Sequence, residues 1–575
     1  MQQEDTASPE DFCRPDTWHE TDSSNAYTVS EAIEHIGFGR FQLLMLLYVG
    51  FAWMADAMEM MILSFLGPAM RCQWNLDATK ESLITSVVFA GTMLGAYSWG
   101  WLSDAKGRRI GFFGTAMFTF LFGILSALAP NYQLLFAARF FVGVGLGGVP
   151  TSLALFMEFL PASDRARWLV ALQSFWMLGT VAEAGLAWLV LYPLGWRWLL
   201  ALSSLPLFLL ALLFPLLPES PFFLAAAGKP AAAQLVLERV ACTNAKSLPP
   251  GRLQEREGPA EPRQHKKQPP ASAPLQLPIL RPLGPPIAAF LQQLRGIYTR
   301  DLAAISGGFQ FIWFVNALAY YGVILLTTSI HGGGASQGEP GCGLDGRLNI
   351  SNQDFRAIFI TTAAELPGLL IAAFGIDILG RRWFATAGVL ITGCFILPLT
   401  LKPPVDTLFL FGARALETAA FACLYVWTPE AYPTAVRTFG LGVANMCARL
   451  GAAMAPFFAV YLVRHDLAPL AEVSLAMACF VAAAISFCIT ADIAECSDSV
   501  TVLARAASHP RTEECEISLL PLQQPEGTPP EAMLPNSHIT GAQSSSDGTA
   551  QTSGINPPAY LQESQTSLTH PRQQG

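Results

Sequence analysis

The chain has 575 residues, of which 52% are hydrophobic and only 13% charged, and its mean hydropathy is +0.39. Soluble domains carry about 25% charged residues, so this composition excludes a single soluble core and points to a polytopic membrane protein. A formal net charge of −9 counts against a nucleic-acid binder, whose footprint is basic.

Residues 1–39 are acidic and polar and lack the apolar core and cleavage site of a signal peptide. Within them Thr28-Val29-Ser30-Glu31 reads as a capping box opening a short interfacial helix. Windows 82–103, 110–138, 198–218, 302–330, 383–401 and 473–491 contain no Asp, Glu, Lys or Arg. With windows that hold isolated charges, twelve spans are expected, at 41–66, 82–103, 110–129, 132–156, 168–191, 197–217, 302–327, 356–377, 383–401, 406–428, 438–463 and 472–491. The expected fold class is therefore an all-α membrane protein with twelve transmembrane helices. Residues 40–227 form one six-helix half and 301–494 the other. Residues 228–300, with the Pro-, Gln- and Lys/Arg-rich run from Pro249 to Pro286, read as a largely disordered linker. Residues 329–353 form a Gly-rich loop with a glycosylation sequon at Asn349, and 495–575 read as a disordered tail.

The two halves repeat. Asp104-Ala105-Lys106-Gly107-Arg108-Arg109 and Asp377-Ile378-Leu379-Gly380-Arg381-Arg382 are both D-x-x-G-R-R, 273 residues apart. Glu158, Pro161 and Arg165 match Glu430, Pro433 and Arg437 as E-x-x-P-x-x-x-R, 272 residues apart. Two motifs at one offset indicate a parallel repeat of six-helix units.

Gly100-Trp101-Leu102-Ser103-Asp104 with Gly107-Arg108-Arg109 resembles the signature of the major facilitator superfamily between helices two and three. Arg139-Phe-Phe-Val-Gly143-Val-Gly145-Leu-Gly147 resembles its helix-four signature, and Pro218-Glu219-Ser220-Pro221 resembles the end of helix six in sugar porters, with Phe222 where Arg is usual. Within the superfamily the chain is similar to the plant-type organic cation/carnitine transporters and nicotinate permeases, a group related to synaptic vesicle 2-like proteins. The segments that carry this are 55–65, 183–188, 365–368 and 431–438. The resemblance covers about residues 27–240 and 296–490. It implies a secondary transporter, and with the eleven basic residues of 228–300 it implies that both termini are cytoplasmic.

Opposite charges on adjacent short loops are placed to latch helix bundles at one membrane face and release them when the halves rock. Asp104 is expected to pair with Arg108 or Arg109, and Glu158 with Arg165; Asp377, Arg381, Arg382, Glu430 and Arg437 repeat the arrangement. The competing reading is topogenic, since arginines on interior loops set orientation.

Charges inside a bilayer are costly and mark functional positions. They are Asp56 and Glu59 in span one, Arg139 in span four, Glu183 in span five, Glu365 in span eight, Arg414 and Glu417 in span ten, and Arg449 in span eleven. Asp56 and Glu59 are three apart on one helix face, a pair that suits proton exchange. The resemblance to sugar porters implies an Asp56–Arg139 ion pair, leaving Glu59 as the freer acid. The alternative is a static ion pair without transport chemistry. Pro367-Gly368 after Glu365 should loosen span eight near its middle.

Gln173, Trp176, Thr180 and Glu183 make a polar stripe on span five; Gln310, Trp313, Asn316 and Tyr320, with Tyr321, make one on span seven; Asn445 and Arg449 make one on span eleven. These stripes are expected to line a central cavity. Trp176 and Trp313 read equally as substrate walls or as helix packing. The expected partners are protons, the lipid bilayer and a small organic ion, nicotinate-like or a cation or zwitterion. A sugar or polyol symporter and a non-transporting vesicle 2-like scaffold are the alternatives. No nucleotide-binding loop, metal cluster or nucleophile elbow is present in the sequence, so neither an enzyme nor a cofactor is expected. Acids near Leu519-Leu520 miss a dileucine sorting signal by one position, which leaves plasma membrane and vacuolar or vesicular membrane both open.

Overall fold

The computed structural model describes residues 26–254, 291, 293–299, 302–331, 348, 350–402, 405–433 and 436–508, with backbone alone at 166 and 490–508. Asn349 and the tail from residue 509 lie outside the described residues. Eleven described helices are long and apolar enough to cross a membrane, from Arg40–Trp74 to Ala468–Ile489, and the shorter apolar helix Trp196–Leu212 completes twelve.

The spans pack by the same scheme in both halves. Spans one and five pair, as do two and four, and three and six; spans seven and eleven, eight and ten, and nine and twelve repeat this. Between halves, span two meets span eleven and span five meets span eight. These two contacts are mates under the same repeat.

Glycine allows the closest approach. A Cβ on Gly143 would strike the Val88 carbonyl, and one on Gly95 the Val144 carbonyl, so spans two and four touch backbone to backbone. Proline sets the breaks. Pro150 and Pro367 each forbid a regular turn at the residue four before them. Span four accordingly breaks after Leu146, and span eight after Ala363. Glu365 therefore opens a new helical segment at mid-span.

The first part of the linker departs from expectation, and 255–290 lie outside the described residues. Residues 228–254 are folded: helix α1 (Val29–Ile36), preceded by strand β1 (Ala26–Tyr27), is joined by α2 (Pro221–Ala226), α3 (Pro230–Thr243) and strand β2 (Arg252–Leu253), which pairs parallel to β1. The capping box of Thr28 and Glu31 opens α1. Asn244, at the end of α3, accepts from Phe41 N–H at 2.8 Å and donates to Gln42 at 2.7 Å. Gln42 in turn donates to the Phe159 carbonyl. The linker helix thus caps span one, whose first N–H groups have no helical partner. Burial of Leu237 and Val240 with Ile33 and Ile36 explains why this stretch orders. The last helix also runs on to Ser508, past the expected boundary at 495.

Candidate functional site

Between the halves lies a cavity of about 120 Å³. Gln173 and Trp176 of span five, Tyr320 and Tyr321 of span seven, Glu365 of span eight, and Asn445 and Arg449 of span eleven line it, as the stripes lead one to expect. Trp53, Met177, Thr418, Phe421 and Tyr425 also line it and carry no sequence signal that separates them from core residues.

Glu365 is the hub of the site. Its Oε1 accepts from Arg414 Nε at 3.1 Å, Arg414 Nη2 at 2.9 Å and Tyr320 O–H at 2.9 Å. Its Oε2 lies 2.9 Å from Thr180 Oγ1, on the other half. Trp176 Nε1 donates to the Tyr320 hydroxyl at 3.2 Å, again across the halves. Trp53, held by Ser152 at 3.1 Å, meets Trp176 edge to face. Because Arg414 neutralises Glu365 from behind, the cationic group lining the cavity itself is Arg449, with Asp56 within electrostatic reach.

A second charged cluster is buried inside the first half. Glu59 Oε2 is 3.0 Å from Arg139 Nη1, and Glu59 Oε1 accepts from Ser204 at 2.8 Å. Glu183 Oε2 accepts from Ser203 at 2.7 Å, and its charge also reaches Glu59 and Arg139. Glu59, Arg139 and Glu183 are all fully buried. The expected Asp56–Arg139 pair is therefore incorrect: Glu59 takes Arg139. Glu59 meets spans four and six through Arg139 and Ser204, whereas Asp56 is within electrostatic reach of Arg449 on span eleven. Gly123 makes room, since a Cβ there would strike the Ser204 hydroxyl.

Three expected cavity residues of span seven lie elsewhere, as Glu183 of span five does. Gln310 accepts from Tyr298 O–H at 2.6 Å. Trp313 is fully buried, donates to Thr428 at 2.8 Å and packs edge-on behind Phe421 and Tyr425. Asn316 is buried with neither amide atom paired among the described residues. Helical spacing put these three on one stripe, but span seven is covered on nearly every side and only Ala317, Tyr320 and Tyr321 of it line the cavity.

The repeated loops share one geometry. Arg108 bridges Asp104 at 2.6 Å and Glu158 at 3.1 Å; Arg381 bridges Asp377 and Glu430, each at 3.2 Å. Gly107 and Gly380 cap the preceding spans at φ +111° and +78°, where other residues are strained. Arg165 does not reach Glu158, contrary to expectation; it bonds the Leu160 carbonyl, and Arg437 likewise the Tyr432 carbonyl. Arg109 stacks on Phe214 and bonds its carbonyl, while Glu219 accepts from the Arg109 N–H. Arg382 follows Arg381 at the start of span nine, and Gly100 lies in open space on span two. These pairs brace helices within a half; none of them latches the halves to each other.

Between described residues, the hydrogen bonds and ion pairs that join the halves lie at mid-membrane or toward the face away from these loops. There Ser82 donates to the Pro456 carbonyl, Ser86 to the Ala453 carbonyl at 2.7 Å, and Trp188 to Asn352. The two bundles are closed at this far face.

Comparison with known proteins agrees with this architecture. The family described as sugar (and other) transporters matches residues 37–269. Organic cation/carnitine transporter 7 of Arabidopsis thaliana is 43% identical, over 77% of this chain and 90% of its own length. This chain belongs to the major facilitator superfamily. Another of the facilitator's relatives, the synaptic vesicle 2-related protein of Xenopus laevis, is 37% identical over 84% of this chain and 83% of its own. Its fold is shared with the xylose transporter XylE from E. coli, in the inward open conformation (TM-score 0.57, 15% identity) and the partially occluded inward open one (TM-score 0.59, 16%), covering 78% of the facilitator and 96% and 97% of those chains. The facilitator is thus a multi-pass membrane transporter of alternating-access fold, and not an enzyme.

Proposed function

We propose that this facilitator carries a small organic ion, nicotinate-like or a cation or zwitterion, in exchange with or together with protons. The observation that supports this most is the cavity: aromatic walls, hydrogen-bonding tips at Gln173 and Asn445, and one lining guanidinium, Arg449, with Asp56 nearby. A flat ring stacks on such walls, a carboxylate meets Arg449, and an ammonium group meets the aromatic faces.

Proton coupling is assigned to Glu59, Glu183 and Arg139. Two buried carboxylates beside one guanidinium leave one negative charge unbalanced, and a proton is the ligand that balances it inside a bilayer. The second half has its own buried acid–arginine pair, Glu365 with Arg414, though its acid stands on span eight and not on span seven, the mate of span one; it is placed to sense both substrate and closure. We place both termini in the cytoplasm, the repeated loops on that side, residues 40–227 and 301–494 as the two moving halves, and the loop networks as braces that shift on rocking.

Sugar symport is less well supported, because Gln310 and Asn316, the neutral hydrogen-bonders of span seven, lie off the cavity. The test is uptake into proteoliposomes under an imposed pH gradient, with nicotinate, trigonelline, choline, carnitine and glucose. Gradient-driven uptake of one of the first four is expected. Uptake of glucose alone would favour the sugar reading, and no flux of any would favour a non-transporting scaffold.

A further inference from the structure

The closed far face holds a charge cluster that neither the cavity nor the proton site uses. Arg71 lies near the end of span one, Glu81 near the start of span two, and Arg464 ends span eleven, on the other half. Arg464 Nε is 3.6 Å from Glu81 Oε2, an ion pair longer than a hydrogen bond. The Glu81 side chain is only 1% exposed. Among the described residues, neither of its oxygens has a hydrogen-bond partner, and neither do Nε and Nη2 of Arg71 or of Arg464. Arg71 is within electrostatic reach of both Glu81 and Arg464. Glu81 rests on the bare backbone of Gly67, one helical turn before Arg71 on the same face of span one.

A purely structural buried ion pair is held by short, bidentate contacts that satisfy its donors. Here one carboxylate stands between two guanidinium groups, one from each half, and is gripped tightly by neither. When the halves part at this face, Arg464 leaves. Arg71 stays with Glu81, because spans one and two belong to the same half.

We propose that Arg71, Glu81 and Arg464 form an ion-pair exchange gate at the far face. Glu81 attracts Arg464 in the closed state and passes to Arg71 on opening, so the buried carboxylate is never left unpaired and the two guanidinium groups separate. The serine-to-carbonyl contacts on the same seam, Ser82 to Pro456 and Ser86 to Ala453, are neutral bonds that water replaces. The gate rests on the rocking of the two halves and not on the substrate assigned above.

The test needs no substrate. The full chain carrying Ser86→Cys with Ala453→Cys is purified into nanodiscs and oxidised, and the linked 86–453 peptide is quantified by mass spectrometry. Glu81→Gln and Arg464→Gln are each expected to lower the linked fraction at least threefold, because the far face stands open more of the time. Arg464→Lys keeps the charge and is expected to link as the parent does, which separates a lost attraction from a misfolded chain. Arg71→Gln is expected to link at least as much as the parent, because it removes the partner of the open state. Parent-like linking in both Glu81→Gln and Arg464→Gln overturns the gate. So does a fall in Arg71→Gln that matches Glu81→Gln, which would make the cluster a static block.

Discussion

Glu59 and Glu183 sit within one charged cluster yet have different consequences. Removing the charge of Glu59 strands Arg139 in the bundle interior. Glu59→Gln is therefore expected to cost about 3–5 kcal/mol of stability, read as a large fall in the thermal unfolding temperature of the purified protein. Glu183 has a serine partner and, among the described residues, no direct guanidinium contact. Glu183→Gln is expected to keep the fold and flatten the dependence of uptake on the imposed pH gradient; an unchanged gradient dependence would remove it from the proton site. At the cavity, Arg449→Gln is expected to weaken a carboxylate-bearing substrate about tenfold to a hundredfold, the loss of a charged hydrogen bond of about 1.5–3 kcal/mol. Trp313→Phe, one layer behind, should leave substrate affinity unchanged and lower stability by about 1 kcal/mol through the lost Thr428 bond. Competition binding and thermal unfolding on both variants separate these outcomes.

Elements were legible in the sequence wherever lipid dictates composition. A bilayer requires long apolar helices with all backbone groups paired internally, so the twelve spans stand near their expected positions, and the proline breaks follow from local sterics. The start of the linker was not legible. The Pro- and Lys-rich run from Pro249 to Pro286 reads as disorder and colours the whole of 228–300. Ahead of it, however, Pro230–Thr243 is rich in Ala, Leu and Val, and its packing against α1 and span one supplies the stability that a short isolated helix lacks. Asn244 is the particular residue involved, and nothing in its neighbours marks it as a cap for a helix some 200 positions earlier. Asn244→Ala is expected to cost about 1 kcal/mol, as lost helix caps do, and to speed amide exchange at the start of span one selectively. Uniform exchange across the chain would show that α3 merely rests on the bundle.

For the whole molecule, the repeat read from two motifs reappears as a repeat of helix pairs and of Asp–Arg–Glu bridges. Each bridge lies within one half, but they differ in exposure: Arg381 and Glu430 are 39% and 50% exposed, Arg108 and Glu158 only 25% and 22%. Arg381→Gln should therefore cost no more than about 1 kcal/mol, and Arg108→Gln more than Arg381→Gln. Their effects should add in the double variant, measured by thermal unfolding. Strong non-additivity would mean that the loops communicate directly. The sequence alone determined the membrane class, the twelve spans, the two halves and the charges deep in the spans, because hydrocarbon admits few solutions and a charge at its centre is conspicuous; Glu81, buried near a span end, was not among them. Only the tertiary structure decided which acid meets which arginine, which stripe reaches the cavity and which face is closed. Helical spacing places a residue on a face to within tens of degrees, whereas an ion pair forms or fails within a single ångström, set by side-chain length and by the helix packed opposite.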